Sequence, residues 1–141
     1  MKKLIILLYV AISFNSLTIL AKDFEYSVQT ESNIPKKGPQ LFLFNKQGEL
    51  TYQSDSLDQG LRNEFREKPV HKRSAQITKD LLGLIDFQPR FDDNNYTLFF
   101  ITISPDIGPC PPCDKQERII NILKKKFKDQ KVEFHKITIV N

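Results

Sequence analysis

Two cysteines occur in the chain, and both lie in one four-residue stretch, Cys110-Pro111-Pro112-Cys113. Two thiols at this spacing can do three things: exchange disulfides, form a local structural bond, or contribute two ligands to a metal. A bond closing so short a loop removes little entropy from the unfolded chain, so it is a poor staple. It is better suited to redox exchange. Metal binding needs further donors. Those nearest in type or position are His71, His135, Asp106, Asp114 and Glu117, and no second Cys-x-x-Cys pair completes a familiar set. We assign no metal and no cofactor. The structural bond and a copper- or zinc-binding role stay open as alternatives.

Exchange chemistry makes demands on the surroundings. The attacking sulfur must be a thiolate, and a free cysteine has a pKa of roughly 8.5. A helix N-terminus lowers that value, because unpaired N–H groups and the positive end of the dipole face the sulfur. The residues from Cys113 to Lys128 have helical spacing, with Ile119, Ile120, Leu123 and Phe127 on one side. Lysines crowd the far end, which suits the negative end of the dipole. Cys110 is then the exposed nucleophile. Cys113, one turn on, is the resolving thiol that releases a mixed disulfide. Pro111 and Pro112 fall in the first turn, where a missing N–H is tolerated and a fixed φ favours the helix. They shape the motif and remove donors from the sulfur.

The flanking elements supply a scaffold. Tyr96 to Ile103 is a short apolar run rich in aromatic and β-branched residues, expected as a strand buried on both faces. Lys131 to Val140 is expected as another strand. Upstream, Leu41–Phe44, the turn Asn45–Gly48 and Glu49–Gln53 predict a β-hairpin. A capping signal at Asp55 or Ser56, with Leu57, Leu61 and Phe65 recurring every four residues, predicts a helix ending at Pro69. Ser74 is placed to cap a second helix carrying Ile77, Leu81, Leu84 and Ile85. Phe87 to Asn95 is expected as a loop. A short strand at Phe24 to Val28 precedes the rest, in a polar lead-in running to residue 38. His71 is expected in solvent, and His135 at an edge.

The order strand, C-P-P-C, amphipathic helix, strand resembles the centre of the thioredoxin superfamily, in particular its exported thiol–disulfide oxidoreductases. The resemblance covers Tyr96 to Val140, about a third of the chain. It implies an α/β thioredoxin-like fold, a small central sheet with flanking helices, and the hairpin N-terminal to the redox unit. It implies exchange with protein thiols and disulfides, with reduction or isomerisation favoured, and a membrane or periplasmic electron-transfer partner. A thioredoxin-fold interaction module with a local disulfide is the rival reading. Three departures stand out. No aromatic residue precedes Cys110, the strand before the motif carries no acid, and no proline follows Cys113 where the family places a cis-proline. Either the fold is truncated or its pieces are permuted. In a permuted chain, Gly38-Pro39 and the hairpin stand for the family's downstream cis-proline strand, and Pro39 presents substrate to Cys110.

The N-terminus carries a separate signal. Met1-Lys2-Lys3 is followed by an apolar run from Leu4 and a stretch ending at Ala21. These are the parts of a secretory signal, and its polar Ser13, Asn15, Ser16 and Thr18 favour cleavage over retention as an anchor. The expected location is periplasmic or otherwise extracytoplasmic, where a disulfide can persist. The expected domain runs over residues 39–141. Loss of residues 1–21 lowers the formal charge from +4 to +2. With no basic patch interleaved with aromatics, nucleic acid is not an expected partner.

Overall fold

The central element is β4, Tyr96–Ile103, with six consecutive buried residues from Thr97 to Thr102. In the computed structural model, which describes residues 22–85 and 95–141, it lies in the middle of a five-stranded mixed sheet. An uncharged run of this kind tolerates burial on both faces. Its neighbours are β5, Val132–Ile139, parallel in register from Tyr96↔Val132 to Ile103↔Ile139, and β2, Gln40–Phe44, antiparallel from Gln40↔Ile101 to Phe44↔Thr97. β3, Leu50–Ser54, closes the hairpin with β2. β1, Lys22–Val28, pairs in parallel with β5. The sheet order is β1-β5-β4-β2-β3.

Two helices cover opposite faces. Alternation along the strands sends Phe42, Phe44, Phe99, Ile101, Ile137 and Ile139 to one side, where Ile77 and Leu81 of α1, Ser74–Leu82, pack on them. It sends Leu41, Leu43, Leu98, Phe100 and Phe134 to the other, against Cys113, Ile120 and Leu123 of α2, Pro111–Lys126. Parallel strands need a crossover between them, and α2 is the one joining β4 to β5. The hairpin turn rests on Asn45, whose side-chain oxygen accepts the N–H groups of Gln47 and Glu49 at 3.0 and 2.9 Å. Gly48 supplies the positive φ of 76°.

Several expectations need correction. No α-helix spans Leu57 to Phe65; a single 3-10 turn, Leu61–Glu64, stands there. Local side chains satisfy the backbone instead. Asp58 accepts from the Gly60 N–H at 2.7 Å, and the Ser54 hydroxyl accepts from the Ser56 N–H at 3.3 Å. Leu61 is still buried, and Phe65 packs against Tyr96 and Phe127. Ser74 does not cap α1: its hydroxyl accepts the Leu50 N–H at 3.0 Å, fastening the helix to β3, and Arg73 occupies the N-cap. α1 ends at Leu82, with the Gly83 N–H donating to Lys79 and Leu81 carbonyls, so Leu84 and Ile85 lie beyond it. α2 starts at Pro111, two residues before Cys113. Residues 22–28 of the supposed lead-in are a full strand of the sheet. The expected signal at residues 1–21 and most of the loop at 87–95 lie outside the described residues. Among the described residues, no helix is long and apolar enough to cross a membrane.

Candidate redox site

Cys110 and Cys113 are joined by a disulfide at the start of α2. Cys110 is the N-cap, and its sulfur accepts the Cys113 N–H at 3.3 Å. That bond satisfies one of the donors every helix start leaves open. Pro111 and Pro112 take the next two positions and carry no N–H at all. The sulfurs differ in access: Cys113 is only 2 % exposed and sits in the core under α2, whereas Cys110 is half-buried. An incoming thiol therefore meets Cys110 first. The approach from β4 is short. Ser104 closes the strand by donating its N–H to Ile139, and the Asp106 N–H donates to the Ser104 hydroxyl at 3.3 Å.

The loop before β2 comes to the same place. The Gly38–Pro39 peptide is cis. The Gly38 carbonyl oxygen lies 3.5 Å from the Cys110 sulfur. In the disulfide that sulfur has no proton, so this is a contact; after reduction a Cys110 thiol can donate to the carbonyl. On the other side, a Cβ built on Gly38 falls 2.8 Å from the Cys113 sulfur and 3.3 Å from Thr102 Cα. Only glycine leaves that space free. The loop is held by Gln40, whose buried side chain donates to the carbonyls of Pro35 and Lys37 at 2.9 and 2.7 Å. Pro39 is buried at the entry to β2.

A second brace lies one turn further along α2. Gln116 is fully buried. Its side-chain oxygen accepts the Asp58 N–H at 2.7 Å, and its nitrogen donates to the Asp58 carbonyl at 3.3 Å. Asp58 in turn accepts from the Tyr52 hydroxyl at 2.7 Å. Burial first, and this carboxylate second, push the Tyr52 hydroxyl up to about 12. From the same connection Asp55 reaches the Lys37 ammonium at 2.5 Å, next to Gly38. The segment after β3 thus ties α2 to the Gly38 loop. Sequence reading passed over Gln116. The signal was present, since Gln116 stands at core spacing between Cys113 and Ile120.

His135 is not an edge residue. It is 1 % exposed, on a strand flanked by two others. Its ring stacks on Phe24 and Phe99. Nδ1 lies 3.1 Å from the Tyr26 hydroxyl and Nε2 lies 3.3 Å from Glu133. Both ring nitrogens thus have polar partners inside the core. The histidine bond chiefly, and the nearby charges of His135 and Lys22, hold the Glu133 carboxyl below its ordinary range against the opposing effect of burial. This group packs with Phe99 on the α1 face, whereas Cys113 packs on the α2 face. His135 is thus not brought to the cysteines. His71 lies beside β3, its N–H donating to the Leu50 carbonyl. Asp106, Asp114 and Glu117 stay near the motif in sequence, with Glu117 paired to Lys136 at 2.5 Å. Among the described residues, no three histidine, cysteine or acidic side chains converge as metal ligands.

Comparison with protein families, curated proteins and solved structures returned no match.

Proposed function

We propose that this chain is an exported thiol–disulfide oxidoreductase of the thioredoxin-like kind, with the elements of that fold in permuted order. The observation that carries the reading is the asymmetry of the disulfide at a helix start. One sulfur is half-buried and accepts a backbone N–H; the other is buried one turn behind it. That is the division between attacking and resolving thiols that exchange requires. The permuted order draws support from the hairpin. β2 runs antiparallel beside β4, entered through Gly38–Pro39 against the cysteines, although it precedes the motif in sequence. The basic, then apolar, N-terminus supports export.

The direction favoured is reduction of the partner. A strong oxidant is one whose reduced form is stabilised. Here the Cys110 sulfur receives one backbone N–H, Pro111 and Pro112 can offer none, and the Gly38 carbonyl faces it. Beyond that one N–H and the helix dipole the prolines add no donor to the thiolate, which favours the disulfide as product. An electron-transfer partner outside the cytoplasm would return the protein to its dithiol. The test is a reduction potential measured against a glutathione or dithiothreitol buffer, with trapping by Cys113→Ala. A potential in the range of exchange proteins and a mixed disulfide through Cys110 are expected. A potential well below about −300 mV, the range of inert structural bonds, together with no trapped partner, would sink the reading in favour of an interaction module.

A further inference from the structure

We propose that the outer face of α2 is a docking ridge for acidic partner proteins, and that it delivers their disulfides to Cys110. The inference rests on the exchange reading above and names its substrate class. Three observations carry it.

The first is where the charge sits. Residues 111–128 hold six cations, Lys115, Arg118, Lys124, Lys125, Lys126 and Lys128, against two acids, Asp114 and Glu117. The stretch is net +4, while residues 22–141 together are only +2. The described residues outside this stretch sum to zero, so the positive charge is concentrated on one helix. The second is which of these cations are committed. Lys124 pairs with Asp23 at 2.9 Å, and Glu117 is taken by Lys136. Lys115, Arg118, Lys125 and Lys126 are exposed on the side of the helix away from Ile120 and Leu123, with the Arg118 Nε donating to the Asp114 carbonyl at 3.3 Å. The third is Ile122, at the centre of that stripe. It is 65 % exposed, the most exposed large hydrophobic residue among those described.

Geometry links the ridge to the chemistry. The stripe begins at Pro111, next to Cys110, and continues through Lys115, Arg118, Ile122 and Lys125. The helix has 16 residues, so the ridge is roughly 24 Å long at 1.5 Å per residue. At a helix width of about 10 Å that is roughly 240 Å², enough for the centre of a standard interface of about 800 Å² per side but not for the whole of it. An apolar anchor ringed by cations suits an acidic protein surface. It suits a lipid surface poorly, since the apolar face of α2 is already buried in the core.

The exchange step balances with the partner's disulfide as oxidant. The Cys110 thiolate attacks one partner sulfur, forming a mixed disulfide and releasing the other as a thiolate. Cys113 then attacks the Cys110 sulfur, closing the internal bond and releasing the second. Two electrons pass to the partner, and the two thiol protons given up by the protein protonate the partner's thiolates.

The test uses the reduced protein and three synthetic peptide disulfides, with flanks of glutamate, of lysine, or of glycine and serine. Each rate is divided by the rate of the same peptide with dithiothreitol, which removes intrinsic differences in reactivity. The acidic peptide should react about tenfold faster than the basic one at 10 mM salt, and the two should converge near 0.5 M, as steering is screened. The exposed double variant Lys115→Glu/Arg118→Glu should abolish the preference, with acidic and basic rates each taken relative to the neutral peptide's rate with the same variant. Acidic and basic rates within twofold at low salt, or a preference that survives the double variant, would overturn the ridge while leaving exchange intact. So would sedimentation with phosphatidylserine vesicles in the absence of any peptide preference. No reaction with any of the three peptides would overturn exchange itself, and the ridge with it.

Discussion

At the residue scale, the site is a balance of donors and close approaches around two sulfurs. Pro112 occupies the second helical position, from which a backbone N–H can reach the N-cap side chain. Pro112→Ala restores that donor. A hydrogen bond to a charged group is worth about 1.5–3 kcal/mol, so the thiolate absorbance of the reduced protein should titrate about one pH unit lower. The same stabilisation makes the disulfide more oxidising by roughly 30 mV or more. No change in either quantity would show that the thiolate does not use that position. Gly38→Ala tests the opposite side. Its Cβ would sit 2.8 Å from the Cys113 sulfur, and relieving such overpacking typically costs about 1–3 kcal/mol. The oxidised variant should lose that much in denaturant unfolding. The Cys110–Cys113 bond was legible because such a pairing depends on spacing. The importance of Gly38 was not, because it arises from a contact between residues that only the sheet brings together.

At the element scale, β2, β4 and β5 were legible within a residue or two, since their apolar runs have no other way to be buried. The 3-10 turn at Leu61–Glu64 was not. Periodicity at Leu57, Leu61 and Phe65 reports which side chains face inward, and two of them do pack inward. It does not weigh the competing Asp58 and Ser54 turns, nor the hold that Gln116 takes on Asp58 from another helix. That hold has a measurable consequence. Gln116→Leu keeps the apolar surroundings filled but leaves the Asp58 N–H and carbonyl without partners. Leaving a buried polar group unsatisfied costs about 1–3 kcal/mol. Global stability should fall by that order, and the Asp58 amide should exchange with solvent far faster than in the parent. Unchanged Asp58 exchange would mean that the segment is held without Gln116, by its other contacts.

At the scale of the whole molecule, the question is what fastens β1, an edge strand, to the rest of the sheet. Backbone pairing with β5 is supplemented by a polar cluster: Tyr26 on His135, His135 on Glu133, and Lys22 at 3.6 Å from Glu133. Glu133 is 5 % exposed, so its charge counts for more here than on the surface. Its carboxyl is held below the ordinary glutamate range of about 4.3. A group whose pKa is lower in the folded state stabilises the fold above its unfolded pKa, and that contribution disappears as the pH falls through the folded value. The Glu133 contribution to the unfolding free energy should therefore be constant near neutrality and decline below about pH 4.3. Asp55 is lowered too, by Lys37, but it is fully exposed and contributes little. Glu133→Gln is neutral in both states, so it should be less stable than the parent at pH 7 and show a shallower decline in acid. The two unfolding curves should approach each other as the pH drops. Parallel curves across that range would show that Glu133 carries no differential charge energy.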